Sequence, residues 1–579
     1  MSIQSNFPNL QPSLLLDFAN TKQLDNRVTF TRSTPAVYYD GKTTAMAEQN
    51  LLLQSQTFDN GSWTKQAVTV TADSTTAPDG TTTADTLSNS ATTAQFWAYQ
   101  QLTLPIGSTL SIYAKAGTAN FIGMSSINGN TNAAVFNLST GAVASSSPYV
   151  TASIISVGSG WYRCSIVNNT YAGTYVVVSI QESDLGSGSI GSYTGTGKNI
   201  YIWGIQAEAR SSLTAYTPTT TQPITNYIPV LLSAGGNQPR FDCNPTTGES
   251  LGLFIEEQRT NLATYSADFG NAAWTPTGTG GVSPTILTNQ VIAPDGTLTG
   301  DQINLPAVSG ASNFQLVYRP FTASATTYTG SFFLKGQNGG EVVWINFTKD
   351  GVNYTQTLCT LTTSWQRFSL TSTRTAGADN LQVGVDLRDS AESAKPAQTV
   401  FIWGGQLEVG AFASSYIATT SASATRTADV ANMTGTNFYS WWNQNEGTYY
   451  IENSYGGFDN QPIALSDIDA AGANAWAYAT GAGVLSTYFT APVSIALNTS
   501  VTASVNTSYR YASAFSPTGK AASASNTTAV VSANTVNPKP STGICIGRFD
   551  TGYWINGRIK KIAYYPIRVT NAQLQALTS

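Results

Sequence analysis

The chain has 579 residues and a net charge of −5; only 10% of residues are charged, while 41% are hydrophobic and 11% aromatic. That length exceeds what one core can organise and implies roughly three to five domains, and the aromatic content excludes a disordered chain. With no Lys/Arg cluster, no apolar run long enough to cross a bilayer and no histidine, nucleic acid, membrane insertion, His-dependent nucleophiles and His-ligated metals are excluded.

In chain order, residues 1–47 form an N-terminal lead or attachment segment. It carries two short strand candidates, Leu14-Leu15-Leu16-Asp17-Phe18 and the alternating Val28-Thr29-Phe30-Thr31-Arg32. Asp17 beside the apolar patch, with no basic residues ahead of it, argues against a secretory signal. Residues 48–217 are then restated at 257–420. Asn50-Leu51, Phe58 and Trp63 return as Asn261-Leu262, Phe269 and Trp274; Ala77-Pro78-Asp79-Gly80 returns as Ala293-Pro294-Asp295-Gly296. Trp161-Tyr162-Arg163 returns as Trp365-Gln366-Arg367, and Tyr201-Ile202-Trp203-Gly204 as Phe401-Ile402-Trp403-Gly404. The order of landmarks is kept while loop lengths differ, which marks a duplicated domain. Residues 218–256 read as a Pro/Gly-punctuated connector, and 421–579 as a third domain.

Strand signals in the copies are short, rich in β-branched and aromatic residues, and bounded by Gly, Asn, Asp or Pro. Leu110-Ser111-Ile112-Tyr113-Ala114 alternates like a half-buried strand. Tyr175 to Ile180 and Thr399 to Trp403 are continuously apolar, as strands covered on both faces are. The class is therefore all-β, with tandem antiparallel jelly-roll sandwiches. The one helix signal is terminal: Thr570-Asn571-Ala572-Gln573 fits a capping box, with Leu574 and Leu577 placed to cover a strand. The four cysteines are scattered and read as buried free thiols.

An aromatic-x-Lys strand, a Trp-x-Arg strand and a closing Trp-Gly-x-Gln-x-Glu strand occur in both copies, in one order. In this they resemble galactose-binding-like jelly rolls found as carbohydrate-binding modules. The phrases Phe30-Thr31-Arg32-Ser33-Thr34, Pro239-Arg240-Phe241, Thr247-Gly248-Glu249-Ser250-Leu251-Gly252 and Glu256-Glu257-Gln258-Arg259-Thr260-Asn261-Leu262 look like bacteriophage structural and tail-fibre proteins. There the lead runs straight into one sandwich; here the first copy interrupts it. Residues 421–579, with Asn556-Gly557-Arg558-Ile559-Lys560, are similar to a laminin-G/concanavalin-like lectin sandwich.

These resemblances imply a virion fibre or adhesin that binds host-surface glycans multivalently, is not an enzyme, contacts other virion proteins and forms a homo-oligomer, a trimer being favoured. A capsid or tail decoration protein without a receptor role is the structural alternative, and a polysaccharide depolymerase the catalytic one. Tryptophans repeated at matched places read as core, so stacking platforms for sugar are sought among unmatched rings: Trp97, Tyr99, Trp344, Tyr354, Trp441, Trp476, Tyr478 and Trp554. The acids Asp85, Glu208, Asp301 and Glu408 stand at comparable places in the copies and are the expected ligands if a structural calcium is held. Asp467, Asp469 and Glu446 are the acids weighed for hydrolysis, which needs two carboxylates facing one cleft.

Overall fold

The computed structural model describes residues 11–127, 132–349, 353–388, 393–458, 461–468, 474–490, 494–533, 538–549 and 552–579. The described chain is almost entirely antiparallel β, as its alternating and β-branched runs require. It divides into two compact units, Ala45–Ile228 with Gln290–Ile292 and the remainder.

The first unit holds the first copy. One sheet runs Thr64–Gln66, Trp97–Leu104, Gly173–Gln181, Phe121–Ser125, Ala133–Asn137, Ala142–Ser146. The other runs Val68–Thr75, Ala84–Asn89, Asn199–Glu208, Thr109–Ala116, Trp161–Asn168, Val150–Gly158. Residues such as Leu87, Leu110, Ile112, Ile122, Met124, Val176, Val178 and Ile202 fill the space between them.

The second copy has the same strand order. Its sheets run Thr275–Gly278, Phe314–Ala323, Gly377–Asp386, Val342–Lys349, Asn353–Thr360, and Thr285–Val291, Gly300–Leu305, Gln398–Val409, Thr326–Gly336, Gln366–Arg374. The first copy differs by one strand added to the edge of each sheet, Ala142–Ser146 and Val150–Gly158, which follow each other in sequence.

The C-terminal sandwich corrects the expected boundaries. The lead and the connector are not separate pieces: both supply strands to it. Leu14–Asp17 and Ser250–Ile255 pair with Gly557–Tyr565, while Arg240–Cys243 extends that sheet at its edge. Thr29–Thr31 pairs with Val430–Thr434 in the opposing sheet. Leu14, Leu16, Phe18, Phe30, Leu253 and Ile255 are buried in the same core as Trp441, Trp476 and Tyr564. The sandwich is therefore discontinuous, and each copy is an insertion between its strands. At the end of the chain Asn571–Leu577 is helical, with both halves of the Thr570/Gln573 capping box formed, and Leu574 and Leu577 pack over the outside of the sheet with Tyr450, Ala563 and Tyr565.

Where the chain enters and leaves the insertions, five buried charges meet. Arg32 Nη1 donates to Asp429 Oδ1 at 2.8 Å, and Arg240 Nη2 to Asp429 Oδ2 at 2.6 Å. Arg240 Nη1 donates to Glu256 Oε2 at 2.8 Å, and Arg426 Nη2 stands 3.5 Å from that oxygen. Backbone amides complete the set: Asp429 N–H donates to Glu256 O, and Glu256 N–H to Asp429 Oδ2. Burial alone would raise the Glu256 carboxyl, but Arg426 and Arg240 hold it well below the usual carboxylate range.

Breaking such a buried set strands the remaining charges, at a cost of about 3–5 kcal/mol. Asp429→Ala, which leaves Arg32 without its carboxylate and Arg240 with Glu256 alone, is expected to lower stability in urea by about that amount; a loss under about 1 kcal/mol would contradict the assignment. Expressed alone, residues 421–579 are expected to be insoluble or protease-labile, since they lack both strands of the lead and those of the connector.

Candidate functional site

The repeated residues form a frame. The Asn50 side-chain amide donates to the Ile205 and Thr217 carbonyls and accepts from Leu52 and Ala207 N–H. Asn261 does the same with Gly405, Ile417, Ala263 and Leu407. Trp63 and Trp274 are each 1% exposed and donate their indole N–H to the Gln54 and Tyr265 carbonyls. Trp203 and Trp403 donate to the Thr83 and Thr299 hydroxyls. The matched tryptophans are thus structural.

The four carboxylates weighed for calcium belong to the same frame. Asp85 accepts backbone N–H from Phe58 and Asp73, and Asp301 from Phe269 and Asn289. Glu208 is engaged by the Thr214 N–H and hydroxyl, and Glu408 by those of Ser414. Asp85 registers with Ile202 whereas Glu208 lies six residues further along that strand, roughly 20 Å away; Asp301 and Glu408 are separated likewise. Internal donors occupy each carboxylate and neither pair converges, so they do not fit one cation site.

Most of the unmatched rings are buried too. Trp97, at 3% exposure, gives its indole N–H to Ile190 O, and Trp344 is 4% exposed with Lys395 Nζ 5.8 Å from its ring centre. Trp441 and Trp476 lie in the C-terminal core, and Tyr478 is buried against Ile463 and Ala475. Half-buried Trp554 donates to Asp429 O. These six are corrected from sugar platforms to packing residues: Trp441 and Trp476 lie between the sheets of the C-terminal sandwich, and the others are covered by loops or neighbouring side chains. Tyr99 and Tyr354 keep partial exposure.

Asp467 is buried beside Trp476, whose indole donates to it at 2.6 Å, while Glu446 accepts from Arg568 N–H at a different place. Asp469 lies outside the described residues. Asp467 and Glu446 share no hydrogen-bond partner.

What remains open is the outward face of one sheet in each copy, and register aligns the two. Thr64 and Thr275, each following a matched tryptophan, register with Tyr99 and Tyr318. Tyr99 registers in turn with Val177, and Val177 with Ser125; Tyr318 registers with Gln382, and Gln382 with Asn346. Tyr318, missed in the sequence because its strand has no local motif, is therefore the counterpart of Tyr99. Both rings are half-buried. Around Tyr99 stand Tyr175, edge-on at 5.7 Å, and exposed Gln101 and Thr64. Around Tyr318 stand Thr275, Asn380 and Gln382. A ring flanked by hydroxyls and amides can take the apolar face of a sugar and bond to its edge.

The second copy's face carries more. Gly384, at φ +144, turns its strand out of regular extension, and Asp386 beyond it reaches Asn346, accepting from Nδ2 at 2.6 Å. Arg388 makes two bonds to Asp386, one to Gln382 Oε1, and lies 4.0 Å from the Phe314 ring centre and 4.7 Å from that of Tyr354.

Parts of the chain are similar to solved structures. It matches the enzymatically active domain of bacteriophage CBA120 tailspike protein 4 over 26% of its length and 21% of that chain, with 13% identity and a TM-score of 0.20. It matches TmCBM61, solved with β-1,4-galactotriose, over 25% of its length and 97% of that chain, at 13% identity and a TM-score of 0.18. The tandem CBM22-1–CBM22-2 domain of Paenibacillus barcinonensis Xyn10C matches 63% of this chain over 98% of its own, at 12% identity and a TM-score of 0.20. No protein-family model and no curated protein matches.

In a chain without histidine, the side chains that titrate near pH 6 are carboxylates raised by burial. Burial pushes Asp85, Asp301 and Asp467 up to about 6. Folding thus tightens their hold on protons, so the stability they contribute is full below the unfolded value near 4 and is lost as pH rises through 6. Groups held low, such as Glu256, act only on the acid side of that window. The urea midpoint is therefore expected to fall between about pH 4.5 and 6.5 and then level; a rise across that interval would refute it.

Proposed function

We propose that the chain is a virion fibre or adhesin component that attaches to host-surface glycans through the outward faces of its repeated sandwiches, without cleaving them. One observation carries the reading: Tyr99 and Tyr318 occupy equivalent, half-exposed positions among hydroxyl and amide side chains, while the matched Trp63, Trp161, Trp203, Trp274 and Trp403 are internal. The phrases shared with phage structural proteins support a place in a virion. The low charge of the chain suits contact with neutral polymers. Each contact is weak, and attachment is made durable by homo-oligomerisation, which raises the effective concentration of second and later contacts. The C-terminal sandwich holds the copies and presents them to the particle.

Tyr99→Ala and Tyr318→Ala in the full chain are each expected to weaken adsorption to host cells or their purified polysaccharide by about 5–20-fold, with circular dichroism unchanged and the double variant weaker than either. Undiminished adsorption by the double variant would leave spacing or decoration as the role, and release of reducing ends from the polysaccharide would make the chain an enzyme.

A further inference from the structure

The two faces share a tyrosine but differ in what lies beside it. Where the first copy has Val177 and Ser125 in the row of Tyr99, the second has Gln382 and Asn346 in the row of Tyr318. One row over, Gly123 of the first copy stands where the second has Trp344, each registering across the central strand, with Ser179 and Gly384 respectively. The space above Gly123 is filled by Ile190: a Cβ on that glycine would collide with Ile190 Cγ2. The Ile190 carbonyl is held by Trp97, and its loop is tied down by Asp184 on the Ser145 hydroxyl at 2.6 Å. The first copy therefore covers much of its face with its own chain and leaves mainly the Tyr99–Tyr175 pair.

On the open face of the second copy, two buried acceptors lack donors among the described residues. Asn346 and Thr348 are 0% and 1% exposed, and neither Asn346 Oδ1 nor Thr348 Oγ1 has a hydrogen-bond partner among the described residues. Strand alternation puts both on the outward side, with Gln382 across from Asn346 and Tyr354 across from Thr348. Buried polar atoms in native proteins are nearly always paired, so an unpaired couple on a candidate binding face calls for donors from outside. The Arg388 guanidinium beside them is bound by both oxygens of Asp386, so its charge is already compensated.

We infer that the copies have divided their roles: the second reads hydroxyl groups of an uncharged sugar chain through Asn346 and Thr348, whereas the first supplies ring stacking with little selectivity. Ligand hydroxyls reach the two atoms by displacing the Arg388–Tyr354 layer; they donate to Asn346 Oδ1, where a carboxylate or sulfate would oppose oxygen to oxygen, and exchange a hydrogen bond with the Thr348 hydroxyl. This rests on the glycan-binding reading above and adds its chemical selectivity.

The test uses the full-length protein on an array of neutral and uronate-bearing oligosaccharides, followed by calorimetric titration of the strongest neutral ligand. Binding is expected to favour neutral chains. Thr348→Val, which keeps shape and removes the unpaired hydroxyl, is expected to lower affinity about tenfold with an unchanged or higher melting temperature. Asn346→Leu is expected to lower affinity likewise, and Thr348→Val decides the matter should the leucine variant misfold. Wild-type affinity in Thr348→Val alongside a loss in Tyr318→Ala would overturn this inference and leave the glycan reading standing. Preference for uronates would overturn it too. Wild-type affinity in both tyrosine variants, or no binding to any oligosaccharide, would remove the glycan reading with it.

Discussion

The structure depends on the buried charges of Arg32, Arg240, Glu256, Arg426 and Asp429. In a chain with so few charged residues, their gathering at one place is a constraint on topology. Arg32 precedes the first insertion and Arg240 follows it; Glu256 precedes the second and Arg426 and Asp429 follow it. Each carboxylate is bonded or close to arginines from other segments, so no crossing of the chain can be displaced without stranding a charge in a low-dielectric interior. A hydrophobic cluster in the same place would tolerate sliding of one strand past another. A fork-shaped guanidinium on a carboxylate does not, and that fixes register where a discontinuous sandwich would otherwise be weakly specified.

The phage-like phrases gain a physical meaning from this. Phe30-Thr31-Arg32, Pro239-Arg240-Phe241 and the Glu256 phrase are the same residues that build the charge cluster and the strands next to it. The repeated landmarks behave alike: Asn50 and Asn261 each satisfy four backbone groups, and the aspartates cap loops through amides. Repetition here records what each fold needs in order to stand, and differences between the copies record what each does. The matched acids secure loops and lie at opposite ends of their strands, which is why they do not converge as a calcium set.

Much of the fold was legible because its signals are local. The all-β class, the duplication and the terminal helix with its capping box follow from alternation, order of landmarks and a four-residue motif. The continuous apolar run from Tyr175 to Ile180 signalled cover on both sides, and the structure supplies that cover with the Ile190 loop over the sheet. The pairing of Leu14–Asp17 with Gly557–Tyr565 was not legible, since strands more than five hundred residues apart share no local pattern. The site was only half visible for the same reason. Tyr99 stood out as an unmatched ring, but its match, Tyr318, emerges only when register is known. Trp97 and Trp344 misled because a loop and a lysine, distant in sequence, close over them.

Weak stacking on a single ring is useful only if the ring is already in place, since ordering it on contact would consume much of the gain. Each copy meets that requirement through the residue that follows the tyrosine. Gln100 bonds both the N–H and the carbonyl of Leu53, and Arg319 bonds the Ala273 carbonyl and the Thr264 hydroxyl. Different side chains, one amide and one guanidinium, tie the same strand to the segment around the matched tryptophan. The neighbouring strand holds the other edge through the ladder, so only the two side-chain torsions of each tyrosine remain to be ordered on contact. In the proposed glycan contact a tyrosine held in this way would lose little entropy, so modest stacking energy would survive as affinity, to be multiplied by the proposed homo-oligomer. The retention of that pinning contact in both copies, through unlike residues, is what a platform selected for rigidity would show.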